Sequence, residues 1–241
     1  MKKPSLPVVL ITGASRGLGA FLAREFSRDG YAVGLHHRRG RNQAVRLAQT
    51  IRREGGVAET FTADLANSSQ VENLFRKVRH RFGRLNVLIN NAGTYRPVPL
   101  LRTQARDWHE GLDSTATATF LAIRSALPLF PKSGGRILNL GDSACEKLSA
   151  RKMALGYHVG KTGVLLLTRS WAAQLIRRGI TVNCISPGYL ENSLDLPPAH
   201  DLPARRPVRF AEVGSAIRYL LSPEADQVTG TNLVISGGWN L

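Results

Sequence analysis

Val8-Val9-Leu10-Ile11, then Thr12-Gly13-Ala14-Ser15-Arg16-Gly17-Leu18-Gly19, then Phe21-Leu22-Ala23-Arg24-Glu25-Phe26, is the stretch that decides the fold. The first four residues are apolar without alternation, as a parallel strand buried on both faces requires. The glycines that follow permit a tight turn and a close backbone approach. The amphipathic run behind them, ending at Asp29-Gly30, opens a helix whose N-terminal N–H groups face that turn. Strand, glycine-rich turn and helix in this order form the context of a dinucleotide-binding loop, with Gly13, Ser15, Arg16, Gly17, Leu18 and Gly19 around a pyrophosphate.

Residues 31–36 read as the second strand. An NAD site places an acidic residue near its end, where it bonds the ribose hydroxyls. Here the chain runs His37-Arg38-Arg39-Gly40-Arg41 instead. Cations at this point, with Arg16 in the turn, suit a 2′-phosphate, so NADPH is the expected cofactor. Arg16, His37, Arg38 and Arg39 all stand as candidates for the phosphate contact.

Outward from this unit, strand and helix signals alternate. A helix over about 42–54 stops at Gly55-Gly56, and a strand follows over 58–62. Asp64 and Leu65 lie just past it, where an adenine ring could be contacted. Ser69-Gln70-Val71-Glu72 reads as a capping box for a helix with Leu74, Val78 and Phe82 on one face, closed by Gly83. Val87-Leu88-Ile89 leads into Asn90-Asn91-Ala92-Gly93, where an Asn pair can bond backbone across strands and small residues leave room for a cofactor ribose. A helical region over roughly 104–130 ends before Gly134-Gly135. A fifth strand over 136–140 carries Gly141-Asp142-Ser143 at the edge where open α/β sheets bind ligands. A sixth strand over 181–185 runs into Ser186-Pro187-Gly188. Tyr189 opens a proline-punctuated stretch to Val208 with the look of a lid. A helix over 211–221 and a strand over 233–236 end an α/β chain that reads as one domain.

Composition narrows the function classes. Hydrophobic residues are 43% and charged residues 21%, which is globular. Lys plus Arg exceed Asp plus Glu, 33 against 17, for a net charge of +16. These cations are spread over many segments without an aromatic-studded basic stripe. A basic solvated surface that attracts anions is therefore expected, and no nucleic-acid partner. The two cysteines, Cys145 and Cys184, offer neither a disulfide framework nor metal-ligand spacing, so a reducing compartment and no metal are expected. The basic start, Met1-Lys2-Lys3, precedes an apolar run too short for a signal core or a membrane span. A cytoplasmic location follows as an expectation.

Gly156-Tyr157-His158-Val159-Gly160-Lys161 supplies the chemistry. A phenol and an ammonium four residues apart share one helical face. A free phenol has a pKa of about 10. A lysine beside it favours the phenolate and draws that value toward the working range of an acid–base catalyst.

Taken together, Thr12-Gly13-x-x-x-Gly17-x-Gly19, Asn90-Asn91-Ala92-Gly93, Tyr157-x-x-x-Lys161 and Pro187-Gly188 make the chain resemble the short-chain dehydrogenase/reductase family over essentially its full length. The resemblance implies a Rossmann-like, doubly wound, mostly parallel seven-stranded sheet flanked by helices, a nicotinamide cofactor and a homotetramer. It further implies that Tyr157 donates the proton and that Lys161 binds the nicotinamide ribose and lowers the tyrosine pKa. Two positions depart from the family pattern. The usual catalytic serine falls on Asp142, with Ser143 one place on, and the usual helix asparagine falls on Thr115.

An aspartate in the serine slot is similar to the pteridine reductase and dihydromonapterin reductase branch. So are residues 30–38, and 91–100 with Tyr95 as the ring that would stack on a pterin. A carboxylate accepts from ring and exocyclic N–H donors, which a pterin presents. The opposite reading makes Asp142 a loop cap and Ser143 the ordinary serine. Tyr95, Asp142, Tyr157 and Tyr189 are thus the candidate substrate contacts. The expected activity is NADPH-dependent reduction of a C=N or C=O bond in a small-molecule substrate, a dihydropterin first. A carbonyl or 3-oxoacyl compound is the alternative, and a cofactor-binding regulatory protein without turnover is the third reading.

Overall fold

In the computed structural model, which describes residues 6–144 and 146–240, seven strands lie side by side. Their order is β3 (Val57–Thr62), β2 (Ala32–His37), β1 (Val8–Ile11), β4 (Val87–Asn90), β5 (Gly135–Leu140), β6 (Ile180–Pro187) and β7 (Asn232–Ile235). Every neighbouring pair is parallel, so the sheet is more uniform than the mostly parallel one expected. The chain winds one way through β1, β2 and β3 and the other way from β4. The switch point between β1 and β4 opens a crevice at the carboxyl edge.

Alternation along each strand feeds two cores. Val8 and Leu10 face the core shared with helices α3 (Ser68–Phe82), α5 (Ala118–Ala126) and α6 (Leu155–Leu175). Val9 and Ile11 face the other, with α1 (Gly17–Arg28), α2 (Arg41–Arg53) and α7 (Phe210–Leu221). Both faces of the sheet are therefore covered, which is why its strands read as continuous apolar runs.

The capping box expected at Ser69 is corrected. Asn67 caps α3 instead: its Oδ1 accepts from the Gln70 N–H at 3.0 Å and from the Ser69 hydroxyl at 2.8 Å. The helix starts two residues earlier than a Ser69 cap would allow, so the amide of Asn67 takes the orphan N–H and Ser69 is left inside the first turn. Gly83 ends the helix in the left-handed region at φ 77°, as expected.

The helical region over 104–130 is not one regular helix. It runs as α4 (Ala105–Leu112), a π turn at Asp113–Thr117, α5, and a 3₁₀ turn at Leu127–Leu129. Inside the π turn Thr115, 1% exposed, donates its hydroxyl to the carbonyls of Gly111 at 2.7 Å and Leu112 at 3.1 Å. Side-chain competition for helix carbonyls accounts for the local loosening.

Next to that turn, α4 lies against α6 with almost nothing between them. A Cβ at Gly111 would run into the Tyr157 backbone nitrogen, one at Gly156 into the Trp108 carbonyl, and one at Gly160 into the Thr115 hydroxyl. Three glycines thus set how closely α4 and the helix of Tyr157 approach each other. Cys184 is free and buried, while Cys145 and Met1-Lys2-Lys3 lie outside the described residues. No helix among the described residues is long and apolar enough to cross a membrane.

Because the collision at Gly111 is with backbone, no side chain can rotate away from it. Gly111→Ala is expected to cost about 1–3 kcal/mol, the range for overpacking, and to lower the melting temperature by several degrees in a thermal scan. An unchanged transition would show that the helices can part without penalty.

Candidate active site

A cavity of about 670 Å³ runs along the carboxyl edge of the sheet, floored by the turn between β1 and α1. Gly13 and Gly17 sit at φ 65° and 56°, where only glycine is at ease. A Cβ on Gly19 would lie 2.5 Å from the Gly13 carbonyl and 2.6 Å from the Asn91 amide. The start of α1 has no side-chain cap, so its first-turn amides have no side-chain acceptor there.

Asn91 holds the turn from the other side. Its Nδ2 donates to the carbonyls of Thr12 at 2.8 Å and Gly13 at 3.2 Å, while the Thr12 hydroxyl accepts from the N–H groups of Asn91 and Ala92, both at 2.9 Å. The cross-strand bonding expected of the Asn pair is therefore present. Asn90 points elsewhere and donates to Asn139 at 2.9 Å.

At the β2 end of the cavity stand Ser15, Arg16, His37, Arg38 and Arg39. Arg38 lies 3.8 Å from Asp64 and 3.6 Å from Glu110, which it faces from the opposite wall. His37 is 2% exposed; its Nε2 meets the Thr62 hydroxyl at 3.1 Å, and its Nδ1 has no hydrogen-bond partner among the described residues. A buried polar atom left without a partner, in a wall lined with arginines, is what a site for a phosphate-bearing ligand presents. The residues present fit a dinucleotide, and at this corner a phosphorylated ribose.

At the other end Lys161 is 4% exposed, and its Nζ donates to the Leu140 carbonyl at 2.6 Å. The same ammonium lies 5.5 Å from the centre of the Tyr157 ring. That ring packs edge-on against Tyr95 at 5.1 Å and His158 at 5.4 Å. The Tyr95 hydroxyl donates to Asp195 at 2.9 Å; burial and that carboxylate hold the Tyr95 phenol well above its ordinary value. Burial draws His158 below the usual histidine range, against the opposing charge of Asp142.

The expected residues divide clearly. Tyr157, Lys161, Tyr95, Asp64, Leu65, Gly93 and Pro187 line the cavity together with the glycine turn, whereas Asp142, Ser143, Gly188 and Tyr189 do not. Asp142 accepts from the Ala144 N–H at 2.9 Å, the bond of a loop cap. Ser143, 8% exposed, accepts from the Asn240 side chain at 3.0 Å. Tyr189 packs on Trp239 at 5.1 Å. Several contributors went unread in the sequence: His36, Glu110 and Asn192 in the cavity wall, Asp195 on Tyr95, and Asn240 on Ser143. Each lies beside residues distant along the chain, so no local pattern could announce it.

The family model for enoyl-(acyl carrier protein) reductases matches residues 13–240. The chain is 32% identical over 238 residues to a 3-oxoacyl-[acyl-carrier-protein] reductase of Synechocystis sp., covering 96% of each. Among solved structures it is similar to a variant of a Serratia marcescens short-chain dehydrogenase/reductase, with a TM-score of 0.90 and 27% identity over 98% of this chain and 99% of that one. A blue fluorescent protein from a metagenomic library, solved in complex with NADPH, gives 0.90 and 28% with the same coverage.

The Tyr95–Asp195 bond ties the loop over 189–208 to the segment behind β4. Removing the hydroxyl in Tyr95→Phe should speed amide exchange in residues 190–198 by about two- to tenfold, the worth of one net hydrogen bond. Exchange at the wild-type rate would mean that the loop is held by other contacts.

Proposed function

The chain belongs to the short-chain dehydrogenase/reductase family of oxidoreductases, and on that premise we propose that it is an NADPH-dependent reductase of carbonyl compounds, with 3-oxoacyl thioesters as its substrate class. The observation that carries the reading is that Tyr157 and Lys161 line one cavity with the glycine turn and the basic end of β2. The Synechocystis relative, a 3-oxoacyl-[acyl-carrier-protein] reductase, supports this class over the pterin class expected from the aspartate at position 142.

Gly13, Gly17 and Gly19 would receive the pyrophosphate, Asp64 and Leu65 the adenine side, and Arg16, His37, Arg38 and Arg39 the 2′-phosphate. Bound there, NADPH supplies a hydride to the carbonyl carbon. Tyr157 delivers its phenolic proton to the carbonyl oxygen, so that the C=O group leaves as an alcohol. Lys161, anchored on Leu140, holds positive charge beside that ring and favours the phenolate left behind. Ser143 is assigned to hold the carbonyl oxygen, for which its hydroxyl, now outside the cavity lining and bonded by Asn240, has to turn toward Tyr157, with Asp142 capping its loop. The loop over 189–208 is assigned as the lid and a homotetramer as the assembly, which a sedimentation-velocity run would test.

A dihydropterin is the second reading, and one observation favours it. Burial raises the Tyr95 and Tyr189 phenols and lowers His158, and the Asp142 charge adds to the first two shifts and opposes the third, so a carboxylate lies near this ring cluster. The two readings separate in a nicotinamide-absorbance assay with acetoacetyl-coenzyme A and a dihydropterin. Ser143→Ala inactive on the thioester with Asp142→Ala active supports the carbonyl reading. The reverse pattern, with turnover of the pterin, replaces it. A protein that binds NADPH and turns over neither, nor any wider panel of carbonyls, would be the cofactor-binding regulator instead.

Tyr157→Phe should lower kcat by at least about 100-fold, the scale of a positioned general acid, and leave NADPH affinity unchanged. Lys161→Ala should weaken both turnover and cofactor binding. Arg38→Ala should lower kcat/KM for NADPH by about ten- to a hundredfold, since a charge-assisted hydrogen bond contributes roughly 1.5–3 kcal/mol, with little change for NADH. Equal use of the two cofactors by the wild type would refute the phosphate assignment.

A further inference from the structure

His36, the next-to-last residue of β2, is 2% exposed and yet engages both ring nitrogens. The Gly13 N–H donates to Nδ1 at 3.2 Å, and Nε2 lies 3.0 Å from the Ala63 carbonyl. A backbone N–H can only donate and a carbonyl can only accept. The ring is therefore neutral, with its hydrogen on Nε2 and a lone pair on Nδ1. The backbone carbonyl of the same residue accepts from the Ala14 N–H at 2.8 Å. Two successive amides of the glycine turn thus end on one residue, the first on its ring and the second on its backbone.

This strut spans the cavity floor. On one side Gly13 is held in the left-handed region, its N–H on His36 and its carbonyl on Asn91 at 3.2 Å. On the other, Ala63 immediately precedes Asp64, which lines the adenine end of the cavity. The imidazole therefore couples the turn that faces the pyrophosphate to the loop beyond β3.

We infer that His36 is a positioning residue for the dinucleotide: as a neutral imidazole protonated at Nε2 it sets the Gly13 peptide and, through Ala63, the wall at Asp64, so that the cleft stands ready for its ligand. The inference rests on the reading of this cavity as the NADPH cleft. It assigns a role to a side chain that no phosphate-binding pattern includes.

The strut has a defined pH dependence. A second ring proton would set an N–H against the Gly13 N–H and break the bond. Burial draws His36 down to about 4; the Ala63 bond and the Asp64 charge oppose the shift, and His37 and Arg38 add to it. With its folded value below the ordinary 6.5, the neutral ring's contribution is complete above about 6.5 and fades as pH falls toward 4.

The test combines ring ¹⁵N NMR of the cofactor-free protein with NADPH titration of His36→Ala, His36→Asn and His36→Gln. Asparagine keeps an acceptor where Nδ1 stood but cannot reach Ala63, whereas glutamine can reach Ala63 and offers little to Gly13. The expected result is a neutral Nε2–H ring from pH 7 to about 5. NADPH affinity should fall about tenfold or more in His36→Ala, fall within about threefold in His36→Asn, and fall between the two in His36→Gln, in proteins with folded-state melting transitions. Should the alanine variant fail to fold, the asparagine and glutamine variants decide. A ring protonated at Nδ1, wild-type affinity in folded His36→Ala, or equal losses in the alanine and asparagine variants would each overturn the proposal. Wild-type protein that binds no NADPH would instead overturn the cofactor reading on which the proposal rests, and the ring tautomer would still report whether the strut exists.

Discussion

An ammonium carried into a protein interior must find a strong acceptor, because the lost hydration is worth several kcal/mol even after relaxation. Lys161 meets that constraint at the carboxyl end of β5, where the Leu140 carbonyl accepts from it at 2.6 Å. The helix that carries it, α6, is also packed very closely against α4. Gly111, Gly156 and Gly160 permit that approach by having no side chain to hold the helices apart. One helical turn earlier, Tyr157 is carried to the same wall. The phenol and the cation thus sit on one helix that packs against α4 and reaches the carboxyl edge of the sheet.

The other half of the cavity is built by hydrogen bonds. Asn91 from behind β4 and His36 from β2 close on the peptides of the glycine turn, and Thr12 at the head of the turn bonds back to the Asn91 and Ala92 amides. A turn whose glycines could take many conformations is thereby limited to one, and the entropy of ordering it is lost on folding and not on binding. Among the described residues His37 Nδ1 is one of four buried side-chain atoms without a hydrogen-bond partner, and it lies where the arginines gather. A net charge of +16 surrounds the whole and favours the approach of anions.

The surroundings of Tyr157 are assembled from segments far apart in the chain. Tyr95 comes from behind β4 and is joined by Asp195 from the loop over 189–208. Ser143 from behind β5 is bonded by Asn240 near the end of the chain, with Trp239 packed on Tyr189. Such a surface can change its substrate by changing loops while the cofactor half stays as it is, and substrate class is correspondingly the least predictable property of an α/β site.

By itself the sequence determined the alternation of strands and helices to within a residue or so at most ends, the glycine turn, the basic residues after β2 and the Tyr157–Lys161 pair. All of these are local: a run of four apolar residues, a glycine spacing, or two side chains a helical turn apart carry their meaning without reference to the rest of the chain. Even locally it misplaced the α3 cap, because Asn67 and Ser69 are both good caps and only geometry chooses between them. The tertiary structure alone decided that Asp142 bonds its own loop and Thr115 its own helix, that His36 carries its hydrogen on Nε2, and that Asn240 reaches Ser143. A hydroxyl, carboxylate or imidazole takes its role from whichever donor or acceptor lies within about 3 Å of it, and for these residues that partner is set by the packing of the fold and not by the residue type.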